Sequence, residues 1–266
     1  MALFSYLKST ILSKIVMAVT GILLVLYIIG HTIGNMQVYL GPEALNAYAD
    51  FLQSLGEGLW IIRIVLGVAL ILHIITSVKL KLHNMGAKPD KYRVKNYVRA
   101  TLTSRTMIWT GIMVFAFLVI HLAHFTTGDI KPEYYAKNNP EYYKGDVHLA
   151  NYTEDGEMEV IEENKHDSGE MATAHTGVVY SRPDVYYMMI KGFRLPWISV
   201  VYIIGVILLG FHLNHAIQSM IQTLGLNHPK YFNFYVKLST WLSVIIVLCL
   251  ISIPITILLG LVGGCV

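Results

Sequence analysis

Cysteine and charge are both scarce in this chain of 266 residues. The two cysteines, Cys249 inside an apolar run and Cys265 at the extreme end, are too few and too badly placed for a disulfide framework or a thiolate metal cluster. Charged residues make up 14% of the chain against 55% hydrophobic ones, which excludes an ordinary water-soluble domain with a charged surface. No glycine-rich phosphate loop occurs, and no internal repeat is strong enough to organise the chain. The net charge of +3 is concentrated in one connection, which argues against nucleic acid and for contact with anionic lipid headgroups or a docked subunit.

What fills the chain instead is apolar sequence. Five runs, near 14 to 36, 59 to 80, 106 to 127, 195 to 219 and 237 to 261, each have the ~20 residues a helix needs to cross a hydrocarbon core. The first is longer than a signal-peptide core and lacks a small-residue cleavage site, so it is expected to stay as a span. The fold class expected is all-α transmembrane, a five-helix up-down bundle. Residues 1–127 carry helices one to three with a basic loop near 80–105, residues 128–194 form an acidic outer loop or cap, and residues 195–266 carry helices four and five.

Orientation follows from lysine and arginine. Lys79, Lys81, Lys88, Lys91, Arg93, Lys95, Arg99 and Arg105 face Asp90 alone in the second connection, which places it on the cytoplasmic side, together with Lys8, Lys14 and the amino terminus. The 128–194 segment then lies outside. It holds the cluster Glu154, Asp155, Glu157, Glu159, Glu162 and Glu163, and its tyrosines suggest a partly ordered cap.

Ionisable residues inside such runs are rare and usually functional. His31 lies roughly 25 Å along the first run and His121 roughly 23 Å along the third, both from the cytoplasmic end, whereas His73 and His212 lie only about 10 Å from that end. Two pairs at two depths, each drawn from two helices, suit two stacked macrocycles whose irons have both axial positions filled, an arrangement for electron transfer. A lone membrane histidine is as readily a helix-to-helix hydrogen-bonding residue, but matched heights weigh against coincidence. His124 and His215 follow His121 and His212 by three residues and share their faces; they are expected nearer the interfaces, in contact with propionates or quinone oxygens. Gly21, Gly67, Gly111, Gly205 and Gly210 are positions where a porphyrin can approach the backbone.

The strings GHTIGN around His31, LHIITS around His73, RTMIWTG and IHLAHF around His121, and GFHLNHAIQS around His212 resemble the dihaem cytochrome b membrane anchor of bacterial succinate:quinone oxidoreductases, which include the fumarate reductases. The likeness is to the single-chain, five-helix form. It implies two haem b groups, one held by His31 and His121 and the other by His73 and His212. It also implies a quinone substrate, usually menaquinone, with flavoprotein and iron-sulfur subunits on the cytoplasmic face of the bacterial cytoplasmic membrane. The outer connection of this chain is longer than in some members of that family. The resemblance places the quinone near the distal pair, where Asn35, Gln37, Tyr39, Glu43, Glu57 and Arg63 are the candidates; Arg63 reads equally as a snorkelling residue and Glu57 as an exposed helix-start carboxylate. Thr20, Thr32, Ser77, Thr110 and Asn214 are expected to orient an imidazole or bond a propionate, unless they only bond their own backbone. Trp109, Trp197 and Tyr202 read as interfacial belt residues. Two other readings compete: a dihaem subunit of a hydrogenase or formate dehydrogenase, and a haem-free proton-coupled transporter with a histidine relay.

Overall fold

The computed structural model describes residues 9–87, 102–135, 148–152, 158–162, 177–178, 184–226 and 228–263. Most of the basic connection (Lys88, Asp90, Lys91, Arg93, Lys95, Arg99), the acidic residues Glu154, Asp155, Glu157 and Glu163, and also Lys8, His166, His175, Asn227 and Cys265, lie outside them.

Among the described residues five helices are long and apolar enough to cross a membrane: α1 (Thr10–Met36), α3 (Glu57–Gly86), α4 (Leu102–Phe125), α6 (Pro196–Thr223) and α7 (Phe232–Leu258). Each overlaps one apolar run and extends past it by a few residues at one or both ends, where capping and turn chemistry rather than hydropathy set the boundary. Ser9 is an example, its hydroxyl accepting from the Leu12 amide at the start of α1.

The distribution of side chains is that of a lipid-solvated bundle. In α3 only Ala69, Thr76 and Leu80 are buried, while Ile61, Ile64, Val68, Ile71 and Ile75 are exposed. Thr20, Thr32, Thr110, Ser199, Ser239 and Ser243 are buried in the helix interfaces instead. Hydrocarbon is as good a solvent for isoleucine as a protein interior, so close packing of small residues, not apolar burial, joins such helices. The buried hydroxyls are satisfied locally: Thr20 donates to Val16 O at 2.7 Å, Thr32 to Ile28 O at 2.8 Å and Ser243 to Ser239 O at 2.7 Å. The fold therefore describes a multi-pass membrane protein.

Helix α6 is the hub, packing on α1, α4 and α7, and α1 also packs on α3 and α7. Glycine sets two of these contacts. A Cβ on Gly205 would meet the Phe117 ring of α4 at 2.3 Å, and one on Gly210 would meet Val247 of α7 at 2.4 Å. Sequential helices run antiparallel: Lys79, late in α3, donates to Ser13 Oγ, early in α1, at 2.9 Å, and Asn214 of α6 donates to Thr240 of α7 at 2.9 Å.

One end of the bundle is roofed by two helices not anticipated from the apolar runs, α2 (Pro42–Ser54) and α5 (Val185–Phe193). Both are amphipathic and too short to span. They are tied by Asn46, only 1% exposed, which donates to Asp184 Oδ1 at 3.0 Å and accepts from the Tyr186 amide at 2.9 Å. Asp184 in turn caps α5 by accepting from Tyr187 N at 2.9 Å. Below this junction Val38, Leu45, Met189, Ile190, Phe193 and Ile257 form the apolar core of the cap. Arg194 donates to Gly263 O and holds the chain after α7 against the same surface.

The membrane-crossing part is wholly helical, but among the described residues the 128–194 segment adds three short strands, β1 (His148–Tyr152), β2 (Met158–Glu162) and β3 (Gly177–Val178). They form an antiparallel sheet in the order β1-β2-β3, with His148 opposite Glu162 and Glu159 opposite Val178. Part of the long connection thus pairs its own backbone, a departure from an all-α chain that alternation over five residues is too short to announce.

Asn46→Ala leaves Asp184 Oδ1 without its side-chain donor and the buried Tyr186 amide without an acceptor, a cost of about 1–3 kcal/mol. Thermal unfolding of the detergent-solubilised chain should show a lowered midpoint; an unchanged one would remove this junction from the forces that hold the cap.

Candidate functional site

Two levels of histidine are stacked along the bundle. At the level nearer the cap, His31 of α1 and His121 of α4 face each other with ring centroids 5.7 Å apart and planes at 89°. That is the separation of an ordinary edge-on ring pair, and it is slightly shorter than the roughly 6 Å at which two opposed imidazoles would share one metal ion at metal–nitrogen bonds of about 2 Å. Tyr27 stacks on His31 at 5.5 Å, while Phe117, Phe125 and Tyr202 surround His121 at 5.7 to 6.1 Å. Among the described residues, no hydrogen bond reaches a ring nitrogen of either side chain.

At the second level, His73 of α3 and His212 of α6 lie within electrostatic reach of each other. Each rests in the same kind of socket. His73 Nδ1 is 3.3 Å from Thr20 Oγ1 and 3.2 Å from Met17 O, and a Cβ on Gly21 would sit 3.5 Å from its Cε1. His212 Nδ1 is 3.4 Å from Thr110 Oγ1, and a Cβ on Gly111 would sit 3.3 Å from its Cε1. A threonine–glycine step thus gives each ring a polar neighbour and room beside it.

The competing histidines are placed differently. His124 is 3% exposed, its Nδ1 lies 3.0 Å from the Tyr202 hydroxyl, and its ring edge lies against Gly192 of the cap, where a Cβ would meet Nε2 at 2.9 Å. One ring nitrogen is therefore bonded and the other is closed in by the Gly192 backbone. His215 is half-buried beside Asn214 and Gln218, which bond one another at 3.1 Å. Tyr202 is 6% exposed and is an interior partner of His124, not the belt residue its position near a span end suggested. Trp109 and Trp197 are exposed, at 69% and 53%.

The quinone candidates are not drawn into one pocket. Asn35 gives its amide to His31 O at 2.7 Å, within α1. Arg63 is exposed over the Trp60 ring at 5.2 Å and within electrostatic reach of Tyr27, the residue stacked on His31. Glu57 is exposed in the first turn of α3. Among the described residues no hydrogen bond or ion pair joins these three. Tyr39 bonds Ser252 at 2.8 Å and Thr256 at 3.1 Å, tying the chain after α1 to α7, and Glu43 is exposed in the first turn of α2. Of the hydroxyls expected to serve imidazoles, Thr20 and Thr110 reach one; Thr32 and Ser77 bond their own backbone and Asn214 bonds Thr240. Of the five glycines, Gly21 and Gly111 lie against the His73 and His212 rings, Gly205 and Gly210 pack helices, and Gly67 faces open space.

The sockets expose a repeat that reading by hydropathy overlooks. MAVTGILLVLYIIGH (17–31) and MIWTGIMVFAFLVIH (107–121) share Met, Thr-Gly-Ile, an aromatic and His at identical offsets. Eleven residues make three helical turns, so Thr20 and His31 fall on one face of α1, and Thr110 and His121 on one face of α4. Both helices separate the two levels by the same interval, about 15 to 17 Å at 1.5 Å per residue.

Among the described residues no group of three or more His, Cys, Asp or Glu side chains is gathered to hold a bare metal ion. The donor sets present are pairs of imidazoles, which is the number a haem iron takes axially. The chain matches no protein-family model, no curated protein and no solved structure.

Tyr202→Phe deletes the hydroxyl beside the buried His124 Nδ1 and should cost about 1–3 kcal/mol, read as a lowered unfolding midpoint. Tyr39→Phe, which removes bonds at an exposed position, should stay within about 0.5 kcal/mol of the parent.

Proposed function

We propose that this chain is the dihaem cytochrome b membrane anchor of a succinate:quinone oxidoreductase in a bacterial cytoplasmic membrane. The observation that carries the reading is the approach of His31 and His121 to 5.7 Å, together with the paired threonine–glycine sockets of His73 and His212. The ligands are His31 and His121 at the cap level and His73 and His212 at the other. Two b haems held there would supply one-electron redox centres with no open axial position, suited to transfer rather than oxygen chemistry.

The residues of the chain then have distinct tasks. The four imidazoles hold two levels about 15 Å apart. Tyr27, Phe117, Phe125 and Tyr202 pack their rings around the cap-level pair. The end carrying Lys79, Lys81 and Arg105, with the amino terminus, is the cytoplasmic face by its basic character, and the flavoprotein and iron-sulfur subunits dock there. Dicarboxylate chemistry belongs to those subunits, and quinone chemistry to the rim near the cap. Reduction of a quinone takes two electrons and two protons, so that rim needs a group that exchanges protons and one that stabilises negative charge on an oxygen. Glu57, exposed at a helix start, fills the first role and Arg63 the second, while Asn35 fixes the backbone of the His31 turn. Menaquinone is the substrate expected.

The test is haem b per polypeptide by pyridine haemochrome on the chain purified with its partners. Two are expected in the parent, one after replacement of His73 or His212, one after replacement of His31 or His121, and two in His124→Leu. A colourless preparation would discard the cytochrome and leave the transporter reading; loss of a haem in His124→Leu would reassign the distal ligand. Where the parent holds two haems, succinate-dependent reduction of a menaquinone analogue should fall at least tenfold in the His73 and His212 variants. Full activity with hydrogen or formate dehydrogenase subunits co-purifying would favour the other dihaem family.

A further inference from the structure

The socket hydroxyls do more than fill space, because the direction of their own hydrogens can be worked out. Thr20 Oγ1 lies 2.7 Å from Val16 O and 3.1 Å from Met17 O, both of which can only accept, so its single hydrogen is spent on the helix backbone. Towards His73 Nδ1, at 3.3 Å, the oxygen is left as an acceptor. Met17 O, 3.2 Å from the same nitrogen, is also an acceptor. Both neighbours of His73 Nδ1 therefore call for a proton on it. The second socket repeats the logic: Thr110 donates to Met107 O at 3.0 Å and presents a lone pair to His212 Nδ1 at 3.4 Å. In a neutral imidazole with Nδ1 protonated, Nε2 keeps the free lone pair.

We infer that Thr20 and Thr110 are positioning residues that select the Nδ1–H tautomer of His73 and His212 and so reserve Nε2 of each for the iron. This rests on the cytochrome reading above and names residues that act through the ligands. The hydrogen bond from Nδ1–H also makes each imidazole a better electron donor to the metal. The two sockets are unequal: His73 has a second acceptor in Met17 O, whereas Thr110 is the one acceptor found near His212 Nδ1 among the described residues. Among the described residues His31 and His121 have no such partner, so the device distinguishes the two levels.

The experiment is a potentiometric titration of both haems in the assembled complex carrying Thr20→Val, Thr110→Val, Thr20→Ser or Thr110→Ser, with haem content measured alongside. Valine keeps the shape and deletes the acceptor. The expected result is two haems in every variant and a more positive midpoint for the His73–His212 haem in the valine variants, larger for Thr110→Val, with serine restoring the parent value. Loss of that haem in a valine variant and its retention in the serine one would support the inference equally. Unmoved midpoints in two-haem valine variants, or equal shifts with valine and serine, would overturn it. A parent complex without haem would instead overturn the cytochrome reading itself, and the two failures are told apart by the haem count.

Discussion

An imidazole nitrogen placed in a low-dielectric bundle must find a partner, because water is absent and an unmet polar group is costly there. Much of this structure answers that demand. His73 and His212 are met by hydroxyls one residue before a glycine. His124 is met by Tyr202 and closed in by Gly192. Among the described residues no hydrogen bond reaches a ring nitrogen of His31, His121 or the half-buried His215, and the first two meet ring edge to ring at 5.7 Å. Tyr27, Phe117, Phe125 and Tyr202 line that contact, which is where the proposed haem would sit.

The same demand explains the composition of the helix interfaces. Hydroxyl side chains that would weaken a soluble helix are bonded back to the preceding turn and present small, nearly apolar surfaces to their neighbours. Glycine takes over where even a methyl would collide, as Gly205 does beneath Phe117. The large aliphatic residues are free to face lipid, and α3 and α4 do so along most of their length. The interior is thereby left to the histidines and the residues that hold them.

The duplicated segment gives the two levels a common ruler. Because α1 and α4 carry Thr-Gly-Ile and His at the same eleven-residue interval on one face, a shift of either helix would disturb both levels at once. The cap helices reinforce this register at one end through Asn46 and Asp184, which belong to segments 138 residues apart in the chain. A bundle tied at its end and marked at one interval along two helices is the kind of support that the proposed pair of haems would need.

Much of this was legible without coordinates. Five spans, the two depths and the four histidines follow from apolar run lengths and a constant rise per residue, since a helix in hydrocarbon has no other way to satisfy its backbone. The choice between neighbours three residues apart was not legible, because His121 and His124 share a face and differ only in which other helix they meet. Tyr202 looked like an interfacial anchor by position and became an interior partner only once α4 and α5 closed around it. Helices α2 and α5 escaped notice because their stability comes from each other and from the bundle beneath them, contacts that run length does not register. Hydropathy along the chain determines what enters the membrane; which polar atoms meet there is decided by helix rotation and packing, which only the tertiary structure sets.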